Sequence, residues 1–168
     1  WCRLVASPSL YVQAEELLAN LIGAEETLIL PTVTLIHIGV IPAMMGNDGI
    51  MFLDKQAHMT MYEAAKMARD SGAKLKSFNH GDMNQLETLL RENKDNRKKM
   101  ILVDGAYSMT GNYADIPTLS KLAAQYDAIV YVDDAHGWGV VGERPDANLP
   151  YGYKGNGVVR HFDWNYDN

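Results

Sequence analysis

Four short segments hold residue types that can do chemistry together. Asp133-Asp134-Ala135-His136-Gly137 sets two carboxylates and an imidazole side by side, and Asp54-Lys55-Gln56-Ala57-His58 sets a second imidazole shortly after an acid. Asp104-Gly105-Ala106-Tyr107-Ser108-Met109 adds an acid, a phenol and a hydroxyl. Pro31-Thr32-Val33-Thr34 is a turn whose free backbone N–H groups open a helix and would suit a phosphate. Taken alone, Asp133 and His136 have two readings. Imidazole and carboxylate are ordinary ligands of zinc or iron, and the same pair can simply fix a loop. His58 by itself reads equally as a turn or core histidine.

Each of these segments follows an apolar run. Thr27 to Leu30 and Ala128 to Val132 read as buried strands, Met100 to Val103 as a fully apolar one, and Ile50 to Leu53 as another. Lys74 to Phe78 alternates like an edge strand. Stretches of helical period lie between. Ser9 is expected to cap a helix with Leu10, Ala14, Leu17, Leu18 and Leu21 on one side and Gly23 as its left-handed stop. A second helix carries Met61, Ala64, Ala65 and Ala68 and ends at Gly72; Asp82 caps a third through Leu86, Leu89 and Leu90. Ile116 to Tyr126 is helical, with Pro117 acceptable in its first turn. This alternation predicts an α/β fold with a mostly parallel open sheet and flanking helices, whose ligands collect at the carboxyl ends of the strands. The polar segments fall at those ends. Residues 1–142 form the expected core and 143–168 a loop-rich tail.

With 168 residues, 47% hydrophobic and 21% charged, the chain suffices for one domain. Fifteen Lys and Arg against twenty-one Asp and Glu give a net charge of -6, which argues against a nucleic-acid binder that works by neutralising phosphates. The single cysteine, Cys2, leaves no intramolecular disulfide framework and no Cys-rich zinc site, and fits a cytoplasmic setting. Thr27 to Met45 contains no Asp, Glu, Lys or Arg, but Pro31, Pro42, His37 and Gly39 favour a strand, a turn and a helix over a membrane span. Trp1 opens the chain with no basic run leading into an apolar one, so no signal peptide is read and the start looks cut.

Val132-Asp133-Asp134-Ala135-His136-Gly137 and Tyr107-Ser108-Met109, the latter followed by Gly111 and Ile116-Pro117, resemble the pyridoxal-phosphate (PLP) enzymes of fold type I. Within them the sequence is most similar to the α-oxoamine synthases, which include 8-amino-7-oxononanoate synthase, 2-amino-3-ketobutyrate CoA ligase, 5-aminolevulinate synthase and serine palmitoyltransferase. The likeness runs from Arg3-Leu4-Val5 through Gly139, with weaker matches at Glu16 to Gly23, Ala43-Met44-Met45, Ala57-His58 and Phe78 to Asp82. The resemblance implies pyridoxal 5'-phosphate as cofactor. Asp133 would hold the pyridine nitrogen protonated, His136 would donate to the phenolate oxygen with Ser108 near it, and His58 would stack on the ring. Thr32, Val33 and Thr34 would form the phosphate turn, and Asp134 would support the site without touching the cofactor.

The departures from that family are specific. Thr32-Val33-Thr34 stands where Ser-Gly-aromatic is usual, with His37 at an Asn position; Asp104 replaces Glu, and Thr110 and Asn112 replace two acids. Gly142-Glu143-Arg144-Pro145 stands in place of Gly-Arg-Gly, so acyl-CoA specificity rests on less than PLP binding does. No lysine matches the family's Schiff-base position: Lys121 lies in the amphipathic run after Pro117, and Lys154 lies in the Tyr151 to Gly155 loop. The expected lysine would follow one further strand beyond Asn168. The resemblance therefore implies part of the large domain of a PLP-dependent acyltransferase, without its amino-terminal arm and small carboxy-terminal domain, and inactive by itself. That enzyme would condense a small amino acid with an acyl-CoA as a cytoplasmic homodimer, with Tyr151 and Tyr153 candidates for the interface. An aminotransferase or lyase of the same fold, and a non-catalytic binding or dimerisation module that keeps it, are the alternatives.

Overall fold

Strand and helix alternate in the computed structural model, which describes residues 8–164 and 166. Cys2 and the Arg3-Leu4-Val5 match lie outside the described residues. The elements run α1 (Ser9–Ile22), α2 (Val33–Met45), β1 (Ile50–Asp54), α3 (Met59–Asp70), β2 (Lys74–Phe78), α4 (Met83–Glu92), β3 (Lys99–Asp104), α5 (Ile116–Tyr126), β4 (Ile129–Asp133) and α6 (Val158–His161). Among the described residues the four strands form one sheet in the order β2-β1-β3-β4. All three pairings are parallel. The α/β architecture follows the alternation in the sequence.

Period-two alternation within the strands divides the core. Ile50 and Phe52 of β1 with Ile101 and Val103 of β3 face one side, against Leu86 and Leu90 of α4 and Leu119 and Leu122 of α5. Met51, Leu53, Met100 and Leu102 face the other, against Ile41 and Met45 of α2 and Met61, Ala64, Ala65 and Ala68 of α3. The alanines of α3 are small enough for α2 and the sheet to approach closely, and all are fully buried. Local signals set the helix ends. Asp82 and Asp115 accept the N–H groups of Gln85 at 2.9 Å and Thr118 at 3.2 Å, and Thr32 caps α2 by accepting Leu35 N–H at 3.2 Å.

The structure corrects three expectations. Ser9 is the first helical residue of α1, with Pro8 at the cap and no side-chain capping bond; the stop at Gly23 is left-handed, at φ 74°. Thr27 to Leu30 forms no strand. Its polar groups turn to α1 instead: Thr27 Oγ1 donates to Glu15 O and Ile29 N–H donates to Glu15 Oε1, both at 2.7 Å. Finally, β4 is only partly buried, and Ile129 is 48% exposed, because β4 is an edge of the sheet among the described residues. No helix among the described residues is long and apolar enough to cross a membrane.

Candidate functional site

The chain passes from β1 to β2 in one direction across the sheet, then returns past β1 to β3 and β4. Loops therefore diverge at the carboxyl ends of β1 and β3, which is where an open parallel sheet makes a crevice. Three strands end there in an acid: Asp54, Asp104 and Asp133. Each has a different set of partners.

Asp54 is buried and fully engaged. Its Oδ2 accepts the Tyr107 hydroxyl at 3.0 Å and lies 3.0 Å from His80 Nδ1, and its Oδ1 accepts Gln56 N–H at 2.8 Å. Asn112 Nδ2 lies 2.8 Å from the other ring nitrogen of His80. An amide nitrogen only donates, so His80 accepts at Nε2 and donates from Nδ1 to Asp54. This network ties the 107–114 turn to the ends of β1 and β2. It raises the Tyr107 pKa, through burial first and the charge of Asp54 second.

Asp104 accepts the backbone N–H of His58 at 3.0 Å, which fastens the loop after β1 to the end of β3. Burial raises its pKa, with the His58 N–H acting against that. His58 caps α3. Its Nδ1 accepts Thr60 N–H at 3.3 Å and lies 2.8 Å from Thr60 Oγ1, so in the neutral ring the proton sits on Nε2. The ring is thus oriented by the first turn of the helix it starts.

Asp133 lies at the end of β4. Its Oδ2 is 3.0 Å from His37 Nε2, and its Oδ1 accepts Ala135 N–H at 3.1 Å. Burial pushes its pKa up, but the hydrogen bonds from His37 and Ala135 and the imidazoles of His37 and His58 outweigh burial, and the net direction is down. The carboxylate is held ionised. Asp134 points the other way. Its Oδ2 accepts Val158 N–H at 2.8 Å, while its Oδ1 is buried without a partner among the described residues. A Cβ on Gly105 or Gly137 would come within 2.4 or 2.2 Å of that oxygen, so only glycine leaves it room. Burial, tempered by the Val158 N–H, raises Asp134 to about 6.

Val33, Thr34, His58, Thr60, Asp104, Asp133, Ala135 and His136 line one cleft of about 110 Å³. Five of the residues singled out from sequence are therefore brought together: Val33, Thr34, His58, Asp133 and His136. Thr32 is next to the cleft in the chain, with its side chain committed to capping α2. Ser108 is exposed on the turn after Tyr107 and is not among the lining residues. A wider groove of about 460 Å³ adjoins the cleft, sharing Val33, Asp133 and Ala135 and adding His37, Tyr131 and Trp138. Among the described residues no group of three or more His, Cys, Asp or Glu side chains is placed to hold a metal ion. Among the described residues no lysine lines the cleft. Lys121 lies within α5, and Lys154 is 3.0 Å from Glu143 Oε1.

From the sequence His37 counts only against a membrane span and as a departure from a family pattern, and Tyr131 has no role. His37 stands one helical turn after Val33 and so shares its face, which is a usable signal once the start of α2 is known. Its partners, 94 and 96 positions further along, are visible only in the fold.

The donor set suits a phosphorylated pyridine aldehyde. The start of a helix with free N–H groups lies at one wall, an ionised carboxylate at another, and two imidazoles border the same space. Comparison with known proteins gives the same direction. The family described as aminotransferase class I and II matches residues 3–159. The chain is 37% identical over 142 residues to the 8-amino-7-oxononanoate synthase of Geobacter sulfurreducens, covering 84% of this chain and 36% of that protein. It is 34% identical over 156 residues to the serine palmitoyltransferase of Bacteriovorax stolpii, covering 92% and 34%. Among solved structures, 8-amino-7-oxononanoate synthase from Francisella tularensis superposes with a TM-score of 0.77 at 21% identity, covering 97% of this chain and 42% of that one. Serine palmitoyltransferase from S. paucimobilis, solved with a bound PLP-myriocin aldimine, gives 0.75 at 23%, covering 89% and 34%. These likenesses establish the fold. The chain spans about a third of the length of the curated relatives it matches.

Proposed function

This chain belongs to the class I and II aminotransferase family, and we propose that it forms the PLP-binding part of an acyltransferase that joins a small amino acid to an acyl-CoA. One observation carries the proposal: His58, Asp133, His136 and the first turn of α2 converge on one cleft at the carboxyl end of a parallel sheet. The similarity to 8-amino-7-oxononanoate synthase and serine palmitoyltransferase supports the acyl-transfer reading over others in the family.

When bound, PLP supplies an electron sink for negative charge developing at the amino-acid α-carbon. The residues of this chain do the rest of the work assigned here. The N–H groups opening α2, at Val33 and Thr34, bind the phosphate, beside the Thr32 cap. Asp133, kept ionised, holds a proton on the ring nitrogen. His58, its ring set by Thr60, covers one face and excludes water from it. His136 donates to the ring oxygen, and Ser108 reaches the same oxygen if its turn closes over the cleft. In the overall reaction a bond forms between the α-carbon and the acyl carbonyl, the bond from the α-carbon to its carboxylate and the thioester C–S bond break, and carbon dioxide and, after taking up a proton, CoA leave. The whole protein is taken as a cytoplasmic homodimer whose substrates are an amino acid and an acyl-CoA, with no nucleic-acid or membrane partner.

The test is to supply the full-length protein with PLP, an acyl-CoA and glycine, alanine or serine, and to follow thiol release. CoA released only when both substrates are present is the expected result. Amino-group transfer to a keto acid without CoA release would replace the reading with an aminotransferase. A folded protein that takes up no PLP would leave a binding or dimerisation module.

A further inference from the structure

His37 is 2% exposed and sits beneath the cleft with both ring nitrogens engaged. Nε2 is 3.0 Å from Asp133 Oδ2, and Nδ1 is 2.9 Å from the Tyr131 hydroxyl. The two rings meet edge to face, with centroids 5.6 Å apart. Two elements contribute: α2 supplies the imidazole, and β4 supplies both the phenol and, two residues on, the acid. An ionised carboxylate only accepts, so the proton must lie on His37 Nε2. Tyr131 keeps its own proton, because burial and the charge of Asp133 push its pKa up to about 12. With the ring proton on Nε2, Nδ1 accepts the Tyr131 O–H, giving one directed chain from Tyr131 through His37 to Asp133.

We propose that His37 is a positioning residue: oriented by Tyr131, it fixes Asp133 as an acceptor at the floor of the cleft for a cationic ring nitrogen. The inference rests on the PLP reading above and assigns a role to two side chains that reading does not use. Asp133 has one oxygen on Ala135 N–H and the other on His37. Without the imidazole, the second oxygen loses its only side-chain donor among the described residues, and the carboxyl is free to rotate or to take up a proton itself. Either change weakens its hold on a protonated pyridine nitrogen.

The ring nitrogen makes the test specific. In the full-length protein, binding of PLP is compared with binding of its deaza analogue, in which C–H replaces that nitrogen, by equilibrium fluorescence titration. His37→Phe is expected to weaken PLP by about tenfold, the size of a lost hydrogen bond to a charged group, and to leave the analogue within about twofold. His37→Gln, which keeps an N–H donor near Nε2, is expected to restore most of the PLP affinity. Equal losses for both compounds would mean a merely structural role and overturn the proposal, as would no loss for either. If the wild-type protein binds neither compound, the PLP reading itself fails and the inference with it. Should His37→Phe not fold, nitrogen-15 shifts of the His37 ring in the wild-type protein decide the matter. A protonated Nε2 supports the chain of bonds, and an unprotonated one overturns it.

Discussion

Gly137→Ala puts the packing behind the cleft to its sharpest test. Gly137 follows His136, whose side chain lines the cleft, directly in the chain. A Cβ there would lie 2.2 Å from Asp134 Oδ1, 3.0 Å from Asp134 Cγ and 2.6 Å from Val158 Cγ2. The favourable separation for such atoms is about 3.5 Å or more, so the clash with two different residues cannot be relieved by one rotamer change. Asp134 would have to swing away and give up its 2.8 Å bond from Val158 N–H, which anchors the start of α6. Overpacking costs about 1–3 kcal/mol and a lost hydrogen bond to a charged group about 1.5–3 kcal/mol, giving an expected destabilisation of about 3–5 kcal/mol at pH 8. Gly39→Ala is the matched comparison. Gly39 lies within α2 with nothing within 4 Å of a Cβ, so alanine there should stabilise by about 0.5–1 kcal/mol. Urea unfolding of the full-length protein and both variants measures the difference. A Gly137→Ala variant within about 0.5 kcal/mol of wild type would refute the reasoning, as would a loss of equal size at Gly39.

Asp134 also predicts a pH dependence. Its folded pKa of about 6 lies above the ordinary aspartate value of 3.8, so between the two the folded chain holds a proton that the unfolded chain has released. Its contribution to stability therefore falls as pH rises between those values and levels off above about 6. Asp134→Asn should remove that slope, so the stability difference between wild type and variant changes below pH 6 and is constant above it; a constant difference throughout would contradict the assignment. Tyr107→Phe removes one of three donors to Asp54 and should cost about 1–2 kcal/mol by chemical denaturation, since His80 and Gln56 still satisfy the carboxylate. A loss beyond about 4 kcal/mol would mean that the phenol is the main support of that acid.

Much of the fold was legible because it depends on local periodicity. The apolar runs at Ile50 and Met100, the alternation of Lys74 to Phe78 and the cap at Asp82 state their structure within a few residues. Thr27 to Leu30 misled because a short apolar run becomes a strand only where a neighbouring strand accepts it. Among the described residues that neighbour is missing, and Glu15 takes the available hydrogen bonds. The burial of β4 was overestimated for a related reason, since composition does not reveal which strand lies at an edge.

The candidate site divides along the same line. By itself the order of residues determined that an acid would close each of three strands, that Thr32 would open a helix, and that His58 and His136 would follow the carboxyl ends of their strands, because all of these are short-range consequences of alternation and capping. Tertiary structure alone decided which acid would serve which purpose. Asp54 is engaged by Tyr107 and His80, Asp104 fastens the loop bearing His58, Asp134 is shut behind glycines, and Asp133 is kept ionised by His37 from a helix 96 positions earlier. The four carboxylates, identical in chemistry, acquire different tasks, and Asp133 is shifted down where Asp104 and Asp134 are shifted up, because desolvation and hydrogen bonding depend on neighbours in space, and the folding of the chain is what chooses those neighbours.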